Sequence, residues 1–358
     1  MTRRWKIGLA ATFGGLGVLL LGGGSFLMWW LNYYPAPTES LAVNCRRPPQ
    51  TLAPGRPFTL LSWNIQYAGS RKYHFFYDGG RAVHVKRHDV ENTLAAMSAL
   101  IEKHRPHILL LQEVDRNSAR THRIDEAKRL LSAARAACWT SAPYHRSRYI
   151  PAPFLRPLGR MDMHLLNATR FKITTATRRA LPALDEFFVR RAFNLKRAIL
   201  ETVVPISGRS RPLVLLNTHL SAFSFGDGTL EKQIKKIRAR LQALDATDTP
   251  WILAGDLNLL PPGDDPARLG KDARYYSRKN NPITPLMENH RSAVSLARYR
   301  KNPSAHYTYL PYSAAKPDRK IDYVFVSQDI VVHEASVLNK KNPLSDHLPL
   351  LIRLEVKP

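Results

Sequence analysis

Cysteine is nearly absent from this chain of 358 residues: Cys45 and Cys138 are the only two, far too few for a disulfide-stapled scaffold. Acidic side chains are scarce as well, 28 against 54 Lys and Arg, which leaves a formal net charge of +26. Such a balance favours polyanions: nucleic acid, an anionic bilayer or a phosphorylated substrate. Internal repeats are missing. Eleven of the 13 histidines, among them His74, His84, His88 and His104, have no Cys or acidic partner at zinc-site spacing. With 44% hydrophobic and 23% charged residues, disorder and collagen are excluded. The length suits about two domains or one large α/β unit.

Charge is also missing from Ile7 to Leu31, a run of 25 residues. At about 1.5 Å per residue it spans a hydrocarbon core of roughly 30 Å with some tilt, so a transmembrane helix is expected over residues 7–31. Arg3, Arg4 and Lys6 precede it, no Lys or Arg occurs from Asn32 to Cys45, and Trp29, Trp30, Tyr33 and Tyr34 form an aromatic belt at its end. By the positive-inside rule residues 1–6 are cytoplasmic and the rest is extracytoplasmic, periplasmic in a Gram-negative cell. A cleaved signal peptide is the rival, but its apolar core is typically about 7–15 residues and no small-x-small site precedes Pro35. Leu41 to Cys45 faintly resembles a lipoprotein box, against which Asn44 argues. Residues 1–31 hold three basic groups and no acid, which leaves +23 on the remainder. An extracytoplasmic setting permits a Cys45–Cys138 disulfide. Cys138 sits in an Ala/Leu-rich run read as helical, however, and a buried free thiol is the plainer expectation.

Residues 32–57, rich in Pro and without apolar periodicity, read as an extended linker, with the folded domain at 58–358. Strand-length apolar runs occur at Phe58–Trp63, Ile108–Leu111, Leu213–Leu216, Trp251–Ala254, Ile321–Val326 and Leu350–Leu354. Val90, Leu94, Met97 and Ile101 predict an amphipathic helix, as do Leu230, Ile234, Ile237, Leu241 and Leu244. Lys232, Lys235, Lys236, Arg238 and Arg240 read as the solvated face of the second. Thr140–Arg160 and Pro261–Pro285, the latter with Arg274, Tyr275, Tyr276, Arg278 and Lys279, read as loops. Their basic and aromatic residues suit phosphate-rich ligands or a membrane surface, or simply an exposed loop.

Polar clusters close most of the apolar runs: Ser62-Trp63-Asn64-Ile65-Gln66, Leu111-Gln112-Glu113-Val114-Asp115, Asn217-Thr218-His219-Leu220, Gly255-Asp256-Leu257-Asn258, Ile321-Asp322-Tyr323 and Ser345-Asp346-His347-Leu348-Pro349. One alone could be a structural cap. In this order they resemble the endonuclease/exonuclease/phosphatase superfamily, the deoxyribonuclease I-like metal-dependent phosphoesterases, along nearly all of residues 58–356. Phosphoester hydrolysis needs a hard cation on carboxylate oxygens, a base for water and donors for the phosphoryl oxygens.

The resemblance implies a four-layer α/β sandwich, two packed mixed β-sheets flanked by helices. It implies that Glu113 is the principal ligand of Mg²⁺ (or Mn²⁺), with Asn64 beside it and Asp346 on the metal side. Asp256 would take the proton of the attacking water, and Asn258, on the same face if the chain stays extended, would donate to the phosphate. His347, oriented by Asp322, and His219 would donate to phosphoryl oxygens; a satisfied strand-end histidine is the plainer reading of His219. Met161–Ile173 departs from the family pattern by carrying His164 and Thr169-Arg170, so no role is transferred there. The expected partner is a phosphate-containing substrate, a phospholipid or sphingolipid head group first, DNA or RNA as the alternative, with the bilayer engaged through the N-terminal helix. A non-catalytic polyanion binder is the contrasting reading, and no protein partner is indicated.

Overall fold

The computed structural model describes residues 22–222, 224, 226–276, 280–338, 341 and 343–358. Residues 1–21, which hold Arg3, Arg4, Lys6 and most of the expected transmembrane run, lie outside the described residues, as do Arg278 and Lys279. Residues 22–31 are helical and form α1. Among the described residues no helix is long and apolar enough to cross a membrane.

The strands follow as β1 (Thr38–Ser40), β2 (Asn44–Cys45), β3 (Phe58–Asn64), β4 (Ile108–Asp115), β5 (Cys138–Ile150), β6 (Gly159–Thr169), β7 (Thr175–Ala180) and β8 (Ala198–Val204). They continue as β9 (Leu213–His219), β10 (Trp251–Asp256), β11 (Arg291–Ser292), β12 (Asp322–Val326), β13 (Ile330–Val337) and β14 (Leu350–Val356). The longer helices are α2 (Arg87–His104), α3 (Glu126–Ala133), α4 (Phe188–Phe193), α5 (Thr229–Asp245), α6 (Thr284–Asn289) and α7 (Leu296–Lys301). One sheet runs β13-β14-β3-β4-β6-β5-β2 and the other β1-β7-β8-β9-β10-β12-β11. Each is mixed, with β3 parallel to β4 in the first and β9 parallel to β10 in the second.

Strand alternation builds the layers, because successive side chains leave a strand on opposite faces. Leu60, Ile108 and Leu110 point inward and pack with Leu215, Ile252, Ala254 and Val324 of the opposing sheet. Leu61, Trp63, Leu109 and Leu111 point outward, under Val90, Leu94, Met97 and Ile101 of α2 and Leu130 of α3. Val214, Leu216 and Leu253 receive the stripe of α5 from Leu230 to Leu244. Two packed mixed sheets flanked by helices are thus observed. Lys232, Lys235 and Lys236 face solvent, while Arg240 forms an ion pair with Glu201.

Several expectations are corrected. The segment 32–57 is not a linker outside the fold: β1 pairs with β7, β2 pairs with β5, and Gln50 and Leu52 bridge Phe171 and Ile206. Its prolines cap short edge pairings, where a missing N–H costs little. Cys138 opens a strand, not a helix, and is bonded to Cys45, with which it is in register, so the free-thiol expectation fails. Thr140–Arg160 is mostly the hairpin of β5 and β6, since Cys138–Thr140 and Ala142–Tyr144 are buried in a strand that Pro and Arg in the sequence obscure. Within Pro261–Pro285, Pro266–Tyr275 forms 3-10 turns.

Candidate active site

The register of three neighbouring strands sets the centre. Asp256, last in β10, lies opposite His219, last in parallel β9, and opposite Asp322, first in antiparallel β12. Directly paired residues share a face, about 5 Å apart, so a histidine and two carboxylates stand in a row. β3 and β4 of the other sheet bring Asn64 and Glu113 to meet them. Asn64 Nδ2 donates to Glu113 Oε1 and to Asp256 Oδ2, each at 3.2 Å, while its Oδ1 accepts from the Gln66 N–H.

Glu113 sits where β4 slips register against β6, with φ 56°, a left-handed conformation uncommon for a non-glycine residue. This bulge frees its N–H from the ladder, and the Tyr144 hydroxyl accepts it at 3.1 Å. The same hydroxyl lies 3.2 Å from His219 Nδ1. Asp256 Oδ2, 3.2 Å from Nε2, accepts the His219 proton there, which leaves Nδ1 to accept from the Tyr144 hydroxyl. His219 is neutral: burial, then Arg197 and His347, hold it well below the ordinary imidazole range.

His347 differs. Its Nδ1 donates to Asp322 Oδ2 at 2.9 Å and its Nε2 is 3.5 Å from Asp256 Oδ2. Burial works against its proton, but Asp322 and Asp256 outweigh burial and hold it well above the ordinary value. It is therefore an imidazolium with both N–H groups directed. Tyr309 packs edge-on at 5.0 Å, and Trp63 Nε1 donates to the His347 carbonyl at 2.9 Å. Asp256 collects these contacts while 1% exposed. Burial pushes its carboxyl up to about 7, against His347 and with the repulsion of Asp322. Its Oδ1 accepts the Asn258 N–H at 3.0 Å.

Asp346 lies on the loop before β14, accepting from Ser345 Oγ at 3.1 Å, its own N–H donating to Gln66 Oε1 at 3.2 Å. Burial pushes it too up to about 7, against His347 and with the repulsion of Glu113 and Asp78. Asn258 does not continue the strand: its φ is 52° and its Nδ2 donates to the Leu220 carbonyl at 3.1 Å. The extended spacing expected of it therefore fails, although it remains beside Asp256 through its backbone.

Carboxylate oxygens suit a hard divalent cation. Glu113 and Asp256 flank one amide, and Asp346, raised chiefly by burial, also feels the charge of Glu113. Among the described residues, the group whose ligand atoms lie within 4.8 Å of one another, close enough to hold a metal ion, is Asp256, Asp322 and His347. There Asp322 and His347 already hold each other, so the Glu113 side offers the freer lone pairs.

Gln112 and Asn217, quoted for their motif, serve the scaffold: Gln112 Nε2 donates to Asn217 Oδ1 at 2.7 Å, and Asn217 Nδ2 reaches the carbonyls of Leu111 and Leu166. They tie the two sheets together behind the site. Asp115 is likewise structural, paired with buried Arg120 at 2.8 Å. His164 binds Asp162 at 2.9 Å in β6. The residues that motif reading missed are Tyr144, Arg197, which lies 5.6 Å over the Tyr144 ring, and Lys320, which donates to the Asp322 carbonyl. Tyr144 carries a signal only once its segment is recognised as a strand; Lys320 adjoins the Ile321-Asp322-Tyr323 motif.

Comparison with known proteins bears on the family and the fold. The model of the Endonuclease/Exonuclease/phosphatase family matches residues 61–347. An endonuclease/exonuclease/phosphatase from Beutenbergia cavernae superposes with TM-score 0.58 at 21% identity, covering 84% of this chain and 72% of that one. The human Nocturnin catalytic domain with bound sulfate gives 0.55 at 18%, covering 88% and 97%. ANGEL2, a 2',3'-cyclic phosphatase, gives 0.55 at 15%, covering 89% and 99%. At such identities the likeness is one of fold. No curated protein sequence matches the chain.

Proposed function

The chain belongs to the endonuclease/exonuclease/phosphatase family and is a metal-dependent phosphoric ester hydrolase of the phosphodiesterase and nuclease class; from this premise we propose that it splits phosphodiesters by in-line attack of water, with Asp256 as the base. The observation that carries this reading is the row His219–Asp256–Asp322 across three registered strands, with His347 closing it. A carboxyl near 7 is matched to taking a proton at neutral pH. Imidazolium His347 donates from Nε2 to a phosphoryl oxygen, and Asp322 fixes its ring. Neutral His219 donates from Nε2 on the other side of Asp256, positioned by Tyr144. Glu113, Asn64 and Asp346 would hold Mg²⁺, or Mn²⁺ in its place. When bound, the cation supplies Lewis-acid polarisation of the phosphoryl group.

The substrate we assign is the phosphoester of a phospholipid or sphingolipid head group, and the protein is read as single-pass, with its catalytic domain outside the cytoplasm. The charge-free run 7–31, the bases before it and the +23 of the remainder support this. So does the Cys45–Cys138 disulfide, which suits an oxidising compartment. The second reading is a nucleotide or nucleic acid substrate, favoured by the fold shared with a 2',3'-cyclic phosphatase. The test gives the full chain in detergent either mixed vesicles of sphingomyelin and phosphatidylglycerol or supercoiled plasmid, with Mg²⁺ and with Asp256→Ala in parallel. Head-group release by the parent alone supports the lipid reading. Nicking with untouched vesicles moves the substrate to nucleic acid, and full activity in Asp256→Ala refutes the mechanism.

A further inference from the structure

Eleven large hydrophobic side chains are exposed among the described residues, and ten of them fall in just three segments: 26–34, 149–155 and 187–188. Only Tyr77 lies elsewhere. Phe154 and Leu155 are 91% and 93% exposed, at the turn joining β5 to β6. Monomeric proteins rarely leave such side chains grouped in water.

The three segments form one face. Asn32 bridges Ser147 in antiparallel sense, Ser147 Oγ donates to the Leu31 carbonyl at 3.1 Å, and the Arg148 guanidinium stands 4.7 Å over the Trp30 ring. Antiparallel pairing makes the chain before Asn32 run beside the chain after Ser147, toward the turn with Phe154 and Leu155. Phe188 joins them, lining one cavity of about 420 Å³ together with Met28, Tyr34 and Arg191. Exposed Arg148, Arg156, Arg190 and Arg191 surround the apolar residues. Of the nearby acids, Glu186 is held by Asn194 and stands 4.0 Å from Arg190, and Asp185 is exposed.

We infer that this face docks the catalytic domain onto a bilayer carrying anionic lipid, with Phe154, Leu155, Phe187 and Phe188 entering the interface as a second contact beside the N-terminal helix. The occupant follows from continuity and charge. The apolar run from Ile7 enters the described chain at residue 22 and ends at Trp29 and Trp30 inside this face, and a rim of arginines around aromatic and aliphatic tips matches anionic head groups. The inference rests on the anchoring part of the reading above. It also bears on turnover, since β5 carries Tyr144, which touches Glu113 and His219.

The test reconstitutes the full chain in vesicles of phosphatidylcholine with or without phosphatidylglycerol, with an environment-sensitive fluorophore on Phe154→Cys or, as the comparison, on Lys236→Cys of the exposed side of α5. Flotation reports whether the chain is vesicle-bound. The expected result is at least about twofold quenching of the 154 label by spin-labelled lipid, deeper with phosphatidylglycerol, and none at 236. Floating chains whose 154 label is as open to aqueous iodide as the 236 label overturn the docking face alone. Chains that do not float overturn the anchor and the face together. Cross-linking of one 154 position to another without lipid quenching overturns it in favour of a second copy. Phe154→Asp with Leu155→Asp should lose lipid quenching at a label on Phe187→Cys, leaving hydrolysis of soluble bis(p-nitrophenyl) phosphate unchanged; unchanged quenching refutes the face.

Discussion

Acid should strip the divalent cation from this enzyme, with a proton count that can be measured. Asp256 and Asp346 are both pushed up to about 7, chiefly by burial, and a carboxyl must give up its proton to face a cation. Each proton displaced lowers the apparent metal affinity about tenfold per pH unit below 7, so about 100-fold at pH 5 for one group and about 10⁴-fold for two. The fold responds with the opposite sign. The unfolded Asp256 loses its proton near the ordinary 3.8, so from about pH 4 to 7 the native state holds the extra proton and stability falls as pH rises. Three powers of ten in proton affinity amount to roughly 4 kcal/mol. Relative to Asp256→Asn, the metal-free parent should therefore lose melting temperature from pH 5 to pH 8, and Mn²⁺ should narrow that gap. Calorimetric titration with Mn²⁺ in buffers of different ionisation enthalpy gives affinity and protons released together. Affinity that stays flat between pH 5.5 and 8 without proton release would refute the reasoning, and Asp346→Asn should remove one proton from the count.

Asp322→Asn should lower kcat about 10- to 100-fold and bring the His347 titration down into the ordinary imidazole range by NMR, because the carboxylate holding Nδ1 is lost; an unmoved titration refutes the role. Tyr144→Phe strands the Glu113 N–H and frees His219 Nδ1, which should cost about 1–3 kcal/mol in denaturant unfolding and lower turnover; unchanged stability would show that N–H satisfied otherwise. Reduction of Cys45–Cys138, which are 93 residues apart in sequence, should lower stability by about 2–4 kcal/mol, read as a melting shift that Cys45→Ser reproduces; an unchanged melt refutes it.

The strand-end residues were legible because hydrolytic chemistry needs hard oxygens and imidazoles, and a strand that stops in Asp or His advertises itself against its apolar body. Asp256 and His219 stand out in this way, whereas the pairing of Asp322 with His347 is what the family resemblance implies and is present in the structure. What was not legible depends on where the backbone leaves its regular path. The left-handed turns at Glu113 and Asn258 are invisible in a period-two pattern, and the first of them creates the place for Tyr144. Tyr144 is hidden because Pro143 and the basic residues of β5 look like a loop until the strand pairing is known, and Cys138 because the Ala/Leu-rich run before it looks helical. The edge pairings of 38–45 come from partners more than 90 residues away, which local composition does not encode.

The strapping of residues 32–52 across both sheets also decides how the molecule bears force. A pull along the chain from its N-terminal side meets the Asn32–Ser147 bridge, then the three paired residues of β1, and then a covalent stop at Cys45–Cys138. Residues beyond Cys45, including the whole of β3 with Asn64, share that load with the disulfide and do not carry it alone. The tug also enters β5 at its first residue and spreads through its long ladder with β6. Load arriving from the N-terminal side is thereby met by β1, β2 and β5 before β3, β10 and β12, which carry Asn64, Asp256 and Asp322.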